Sequence, residues 1–132
     1  MNIKPNTQVV LNKVVDKGAT GDLIIDESES LSLSAREGEL EEYKISSSQV
    51  FGLRVIKDNK LGTAYSEASE LEALETMVDQ AFTNASFAAE DEHEAIMDIQ
   101  EELSTDDEFF CPHDDSTVEQ RVDTILALEA AL

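Results

Sequence analysis

Residues 50–66 read VFGLRVIKDNKLGTAYS, two β-type runs at 50–57 and 61–66 flanking Asp58-Asn59. Phe51, Leu53 and Val55 alternate with Gly52, Arg54 and Ile56, the period-two pattern of a strand with one face toward a core. An Asp-Asn corner tolerates the positive φ angles of tight hairpin turns, so the pattern predicts a hairpin. Gly52 and Gly62 interrupt its strands, where glycine weakens pairing unless it takes positive φ or a neighbour or ligand must come close. Ser69 and Glu72 then form a capping-box pattern that opens a long helix over about 69–89. Its predicted core face carries Leu71, Leu74, Val78, Ala81, Phe82, Ala85 and Ala89.

The flanking segments follow the same two periods. After Pro5, with Asn6 or Thr7 as cap, Val10, Leu11, Val14 and Val15 make a helical stripe that Gly18 ends. Leu23-Ile24-Ile25 is a short apolar run, and Leu31, Leu33 and Ala35 alternate with serines, one face buried and one wet. A turn falls at Glu37-Gly38. Residues 39–48 are ambiguous, because LEEYK favours helix by propensity; they are read as strand. Ile96, Ile99 and Leu103 hint at a further helix. Residues 104–116 read as a mobile acidic loop, pinned by Phe109-Phe110. Ser116 with Glu119 forms a second capping box before Val118, Val122, Ile125 and Leu126, and the helix then runs to Leu132 without a C-terminal cap. The expected fold class is α+β: a small, mostly antiparallel sheet of about four strands, packed with an N-terminal helix, the long helix after the hairpin and a C-terminal helix.

Composition narrows the function. The 132 residues, 41% of them hydrophobic, suffice for one domain with a core, built without Trp and mainly from Leu, Val, Ile and Ala. Residues 1–66 hold 10 acidic and 8 basic side chains, a net of −2, whereas 67–132 hold 20 acidic residues and Arg121, a net of −19. Such a half cannot neutralise a phosphate backbone, so free nucleic acid and anionic membranes are poor partners. The single Cys111 excludes an internal disulfide and fits a reducing compartment. No apolar run approaches the ~20 residues of a membrane span, and MNIKPNTQ lacks the regions of a signal peptide. The expected location is cytoplasmic.

Arg36, Gly38, Leu40 and Glu41, then Gly52-Leu53-Arg54-Val55, Gly62-Thr63-Ala64-Tyr65-Ser66 and Asp91 occur in an order that resembles the first domain of the TldD/PmbA proteins. That family is described both as modulators of DNA gyrase and as zinc peptidases. The resemblance covers about residues 7–95, with the last helix a weaker extension. It implies an N-terminal domain at 1–95, and at 96–132 an acidic loop and helix that either belong to it or lead into a further domain of a longer chain. It also implies a whole protein that acts on peptides, alone or through a homo- or hetero-oligomeric partner subunit, around an enclosed chamber. Zinc would belong to a helical HExxxH in a later region of the full-length parent.

No such motif is present here: His93-Glu94 is followed four residues on by Asp98. Cys111 and His113 lack partners at ligand spacing, and the Asp106–Glu108 and Asp114-Asp115 runs lack the glycine and terminal glutamate of a calcium loop. No catalytic, cofactor or metal residue is therefore assigned in this segment. Arg54 stands out as a cation in an apolar strand. It either pairs with a carboxylate such as Glu41 or Glu42 or grips a peptide carbonyl or partner domain. With Gly52, Gly62 and Tyr65 it makes the candidate peptide or partner contact, an edge of the sheet offering strand addition. The rival reading is an acidic decoy or adaptor that binds a basic protein surface through residues 90–115.

Overall fold

The computed structural model describes residues 5–98, 102, 105 and 114–132. The elements are α1 (Pro5–Asp16), β1 (Thr20–Arg36), β2 (Glu39–Lys57), β3 (Lys60–Ser66), α2 (Leu71–Phe87) and α3 (Val118–Ala130). The fold is α+β, with one antiparallel sheet in the order β1-β2-β3. The expected four β segments are three strands, because residues 26–30 stay extended where the apolar alternation lapses. Hydroxyl pairs across the ladder, Ser28 with Ser48 at 2.7 Å and Ser30 with Ser46 at 2.6 Å, hold them in place of apolar contacts. Residues 39–48 are strand, pairing with β1 overriding the helical propensity of LEEYK. Both connections are two-residue turns with every residue left-handed: Glu37 at φ 56° and Gly38 at 77°, Asp58 at 52° and Asn59 at 60°. That is the hairpin geometry whose twist matches the strands. Among the described residues, no helix is long and apolar enough to cross a membrane.

The chain divides into two compact units, and the first comprises Met1–Ser28 with Ser48–Asp98. Alternation along β2 buries Phe51, Leu53 and Val55, each 1% exposed or less, against Val10 and Val14 of α1 and Leu74, Met77, Val78, Ala81 and Ala85 of α2. Met77 replaces Leu71 on the predicted helix face: Leu71 is 38% exposed. Ala89 lies beyond the helix end. On α1, the three-and-four spacing of Thr7, Val10 and Val14 forms the buried line and leaves Val15 in solvent. Asn6 lies within α1 and does not cap it; its side-chain amide donates to the Ser69 carbonyl at 3.0 Å. The predicted capping box at Ser69 does not form. The Ser66 hydroxyl and Ala68 bond to each other at 2.9 and 3.1 Å, the helix starts one residue later than a Ser69 cap requires, and its N-cap Glu70 makes no side-chain bond. The Lys13–Glu75 ion pair joins α1 to α2, and Lys17, just past the end of α1, pairs with Asp79 of α2.

Gly62 brings α2 onto β3. A Cβ at Gly62 would collide with the Ala81 carbonyl oxygen and come within 2.5 Å of the Ala85 nitrogen and 2.7 Å of its Cβ. Only a strand residue without a side chain, facing two alanines, permits this approach.

The second unit comprises Glu29–Ser47 and Ile99–Leu132. None of its described residues is buried. The capping box of α3 forms at Thr117 with Gln120, one residue later than predicted. Ser116 is otherwise engaged: its hydroxyl accepts from Arg121 Nε at 2.8 Å and its N–H donates to Asp114 at 2.9 Å. The Gly38 N–H donates to Glu129 Oε2 at 2.9 Å, tying the hairpin turn to α3. Residues 88–98 contain no helix. The rest of the helix suggested by Ile99 and Leu103, and the greater part of the loop predicted at 104–116, including Phe109-Phe110, lie outside the described residues.

Two substitutions test this packing. Gly62→Ala should destabilise the chain by about 3 kcal/mol or more, measured by denaturant unfolding, because backbone atoms of α2 must move. Glu37→Asn should suit the left-handed turn better by roughly 0.5–1 kcal/mol, seen as slower amide exchange in the flanking paired residues.

Candidate functional site: an open groove on the outer sheet face

The alternation that buries Phe51, Leu53 and Val55 turns Gly52 and Arg54 to the opposite face. The register pairs Gly52 with Tyr65 and Arg54 with Thr63, placing these four side-chain positions side by side. Asp22 and Ile24 of β1 join them, and Thr76, Asp79, Gln80, Thr83 and Asn84 of α2 line the far margin along edge strand β3. Together they bound an open groove of about 1000 Å³.

Arg54 and Asp22 fix one part of it. Arg54 Nε donates to Asp22 Oδ1 at 3.0 Å and Nη2 to Oδ2 at 2.5 Å, a two-pronged pair. The pair raises the Arg54 pKa above its ordinary value, chiefly through the hydrogen bond and then the charge of Asp22; desolvation opposes this and Glu94 adds slightly. The partner is not Glu41 or Glu42, which lie on β2 itself, too far along the same strand to reach Arg54. Glu41 instead faces Arg36 at 3.7 Å.

Ile24 and Tyr65 are each 70% exposed. Asn84 Nδ2 donates to the Thr63 carbonyl at 2.8 Å, so this outward acceptor of the edge strand is engaged by α2. The Gln80 side chain and the Tyr65 hydroxyl have no hydrogen bond among the described residues.

Of the four candidates in the sequence, Gly52, Arg54 and Tyr65 meet in the groove. Gly62 does not: it points to the helical face, where its role is packing. The expectation that Gly52 takes positive φ or admits a close neighbour is also corrected. Its φ is not left-handed, and a Cβ there would find no atom nearer than the Ile24 oxygen, at 4.0 Å. Sequence reasoning missed Asp22, Ile24 and the α2 margin. Asp22 was findable as the carboxylate whose strand position matches the face of Arg54.

Among the described residues no three His, Cys, Asp or Glu gather as a ligand set. His93 is exposed, 3.9 Å from Glu92, and Cys111 and His113 lie outside the described residues.

Arg54→Met should cause a small loss of stability, reduced further in about 1 M salt. Because pairing raises the folded pKa, the contribution is complete below the ordinary arginine range and is lost only as pH rises through the still higher folded value. The difference between wild type and Arg54→Met should therefore stay flat from about pH 6 to about pH 10 in thermal unfolding.

Comparison with known proteins gives the context. No curated protein sequence matches the chain. The solved structure of TldE from Thermococcus kodakarensis is similar in fold, with a TM-score of 0.63 at 18% identity over 96% of this chain and 29% of that one. A candidate modulator of a DNA gyrase from Thermotoga maritima gives a TM-score of 0.59 at 20% identity, over 89% of this chain and 26% of that one. The chain thus spans less than a third of the length of either. The family described as PmbA/TldA metallopeptidase domain 1 matches residues 21–85, the sheet and most of α2. By that match residues 21–85 carry the first domain of the TldD/PmbA family, on a fold that the two solved structures share.

Proposed function

We propose that this domain is a non-catalytic scaffold of a TldD/PmbA-type protein in the cytoplasm, where it lines a peptide-processing chamber with the outer face of its sheet. The observation that carries the reading is the match to domain 1 on a chain spanning under a third of its solved relatives. The work of a site with metal and nucleophile then falls to other parts of the assembly, supplied by the same polypeptide or by a partner subunit of the family. The groove holding Arg54 supports the peptide-facing role, because it is open, largely uncharged at its α2 margin, and floored by an arginine already neutralised by Asp22. Direct binding to nucleic acid or to anionic membrane is disfavoured by a net charge of −21. The rival role, an acidic adaptor for a basic protein, rests on the −19 charge of residues 67–132 and on the association of the family with gyrase. It predicts strong capture of basic DNA-binding proteins at low salt, which a scaffold does not share.

The chain by itself should neither cleave unstructured peptides nor retain stoichiometric zinc after dialysis against metal-free buffer. One tightly held zinc per chain, lost in Cys111→Ser, would overturn the non-catalytic reading.

A further inference from the structure

Gly52 lies within β2 in a conformation open to any residue, and no neighbouring atom needs the space its side chain would fill. Glycine in a strand interior weakens it. At Gly62 that weakness is matched by the approach of α2; at Gly52 nothing in the packing offsets it. What glycine leaves on the outer face is a notch. Tyr65 stands opposite on β3, Ile24 on β1, and Arg54 two positions along the same strand.

We propose that this notch seats an apolar side chain of an extended peptide that is neutral or basic, Gly52 acting as the specificity-determining position. The inference rests on the peptide-facing role above and adds which peptide is taken. Ile24 and Tyr65, both largely exposed, are the apolar walls. Arg54 has Nε and Nη2 committed to Asp22, which fixes the guanidinium and leaves its other N–H groups for a main-chain carbonyl. Gln80 and the Tyr65 hydroxyl supply donors and acceptors for peptide amides. Charge selects the sign. Asp22 cancels Arg54, Lys17 pairs with Asp79 of the lining, and the chain carries −21, so acidic peptides are repelled and basic ones drawn in.

The probe is a labelled heptapeptide with lysine at both ends, a central leucine and alanine elsewhere, compared with its glutamate-ended counterpart by fluorescence anisotropy at low salt. The lysine peptide should bind wild type at least ~10-fold more tightly, a difference of about 1.4 kcal/mol. Gly52→Val should lose ~10-fold or more of that affinity while its denaturation midpoint equals or exceeds wild type. Ile24→Ser, altering an exposed wall without touching the strand backbone, should lose several-fold. Unchanged binding in both variants overturns the notch and leaves the scaffold reading standing, since that reading fails on zinc or hydrolysis instead. Wild type binding neither peptide, or binding the glutamate peptide better, also overturns it. So does a marked loss of stability in Gly52→Val, which would make the glycine a packing residue.

Discussion

The contact of Gly62 with Ala81 and Ala85 decides which face of the sheet is which. With α2 seated on β3 at backbone distance, the face that carries Gly62 and Ala64 must also carry Phe51, Leu53 and Val55, and these become the core with α1 and α2. Burying side chains of this size contributes about 1.5–3 kcal/mol each. The exposed ion pairs on the α1–α2 seam contribute at most about 1 kcal/mol each. The apolar layer therefore governs the arrangement, and the charges follow it.

One consequence is a sheet with two characters. Its inner face is closed by helices. Its outer face is left with a glycine, a paired arginine, an exposed isoleucine and an exposed tyrosine, a set that adds little to the core. The second unit has a different basis. No described residue in it is buried, and its order comes from the long β1–β2 hairpin, the Thr117–Gln120 cap and the Gly38–Glu129 bond. Elements with so little burial open locally at low free energy, whereas the core of the first unit opens only near the global limit.

Much of the fold was legible because periodicity and burial agree where the core is. The hairpin at 50–66, both turns and the α2 stripe follow from alternation, left-handed-tolerant residues and helical spacing. Strand length was not legible: the polar residues 26–30 end the apolar signal but not the ladder, which serine pairs continue. The caps at Ser69 and Ser116 failed for local reasons, since Ser116 serves Arg121 and the Ser66–Ala68 turn delays the start of α2. The two strand glycines look alike in sequence. Only the position of α2 separates the one required for packing from the one left open. In the same way, the partner of Arg54 depends on strand order, which places Asp22 beside it and keeps Glu41 and Glu42 remote.

The most direct test of a closed inner face and a ligand-ready outer face is a nitrogen–proton correlation spectrum of the chain, titrated with an extended apolar peptide bearing terminal lysines. The account predicts that the largest shifts fall on the amides of Ile24, Gly52, Arg54 and Tyr65 and on the side-chain amides of Gln80 and Asn84, with α1 and α3 unmoved. Largest shifts on α3, or around Phe82 with Lys17 and Lys57, would contradict it.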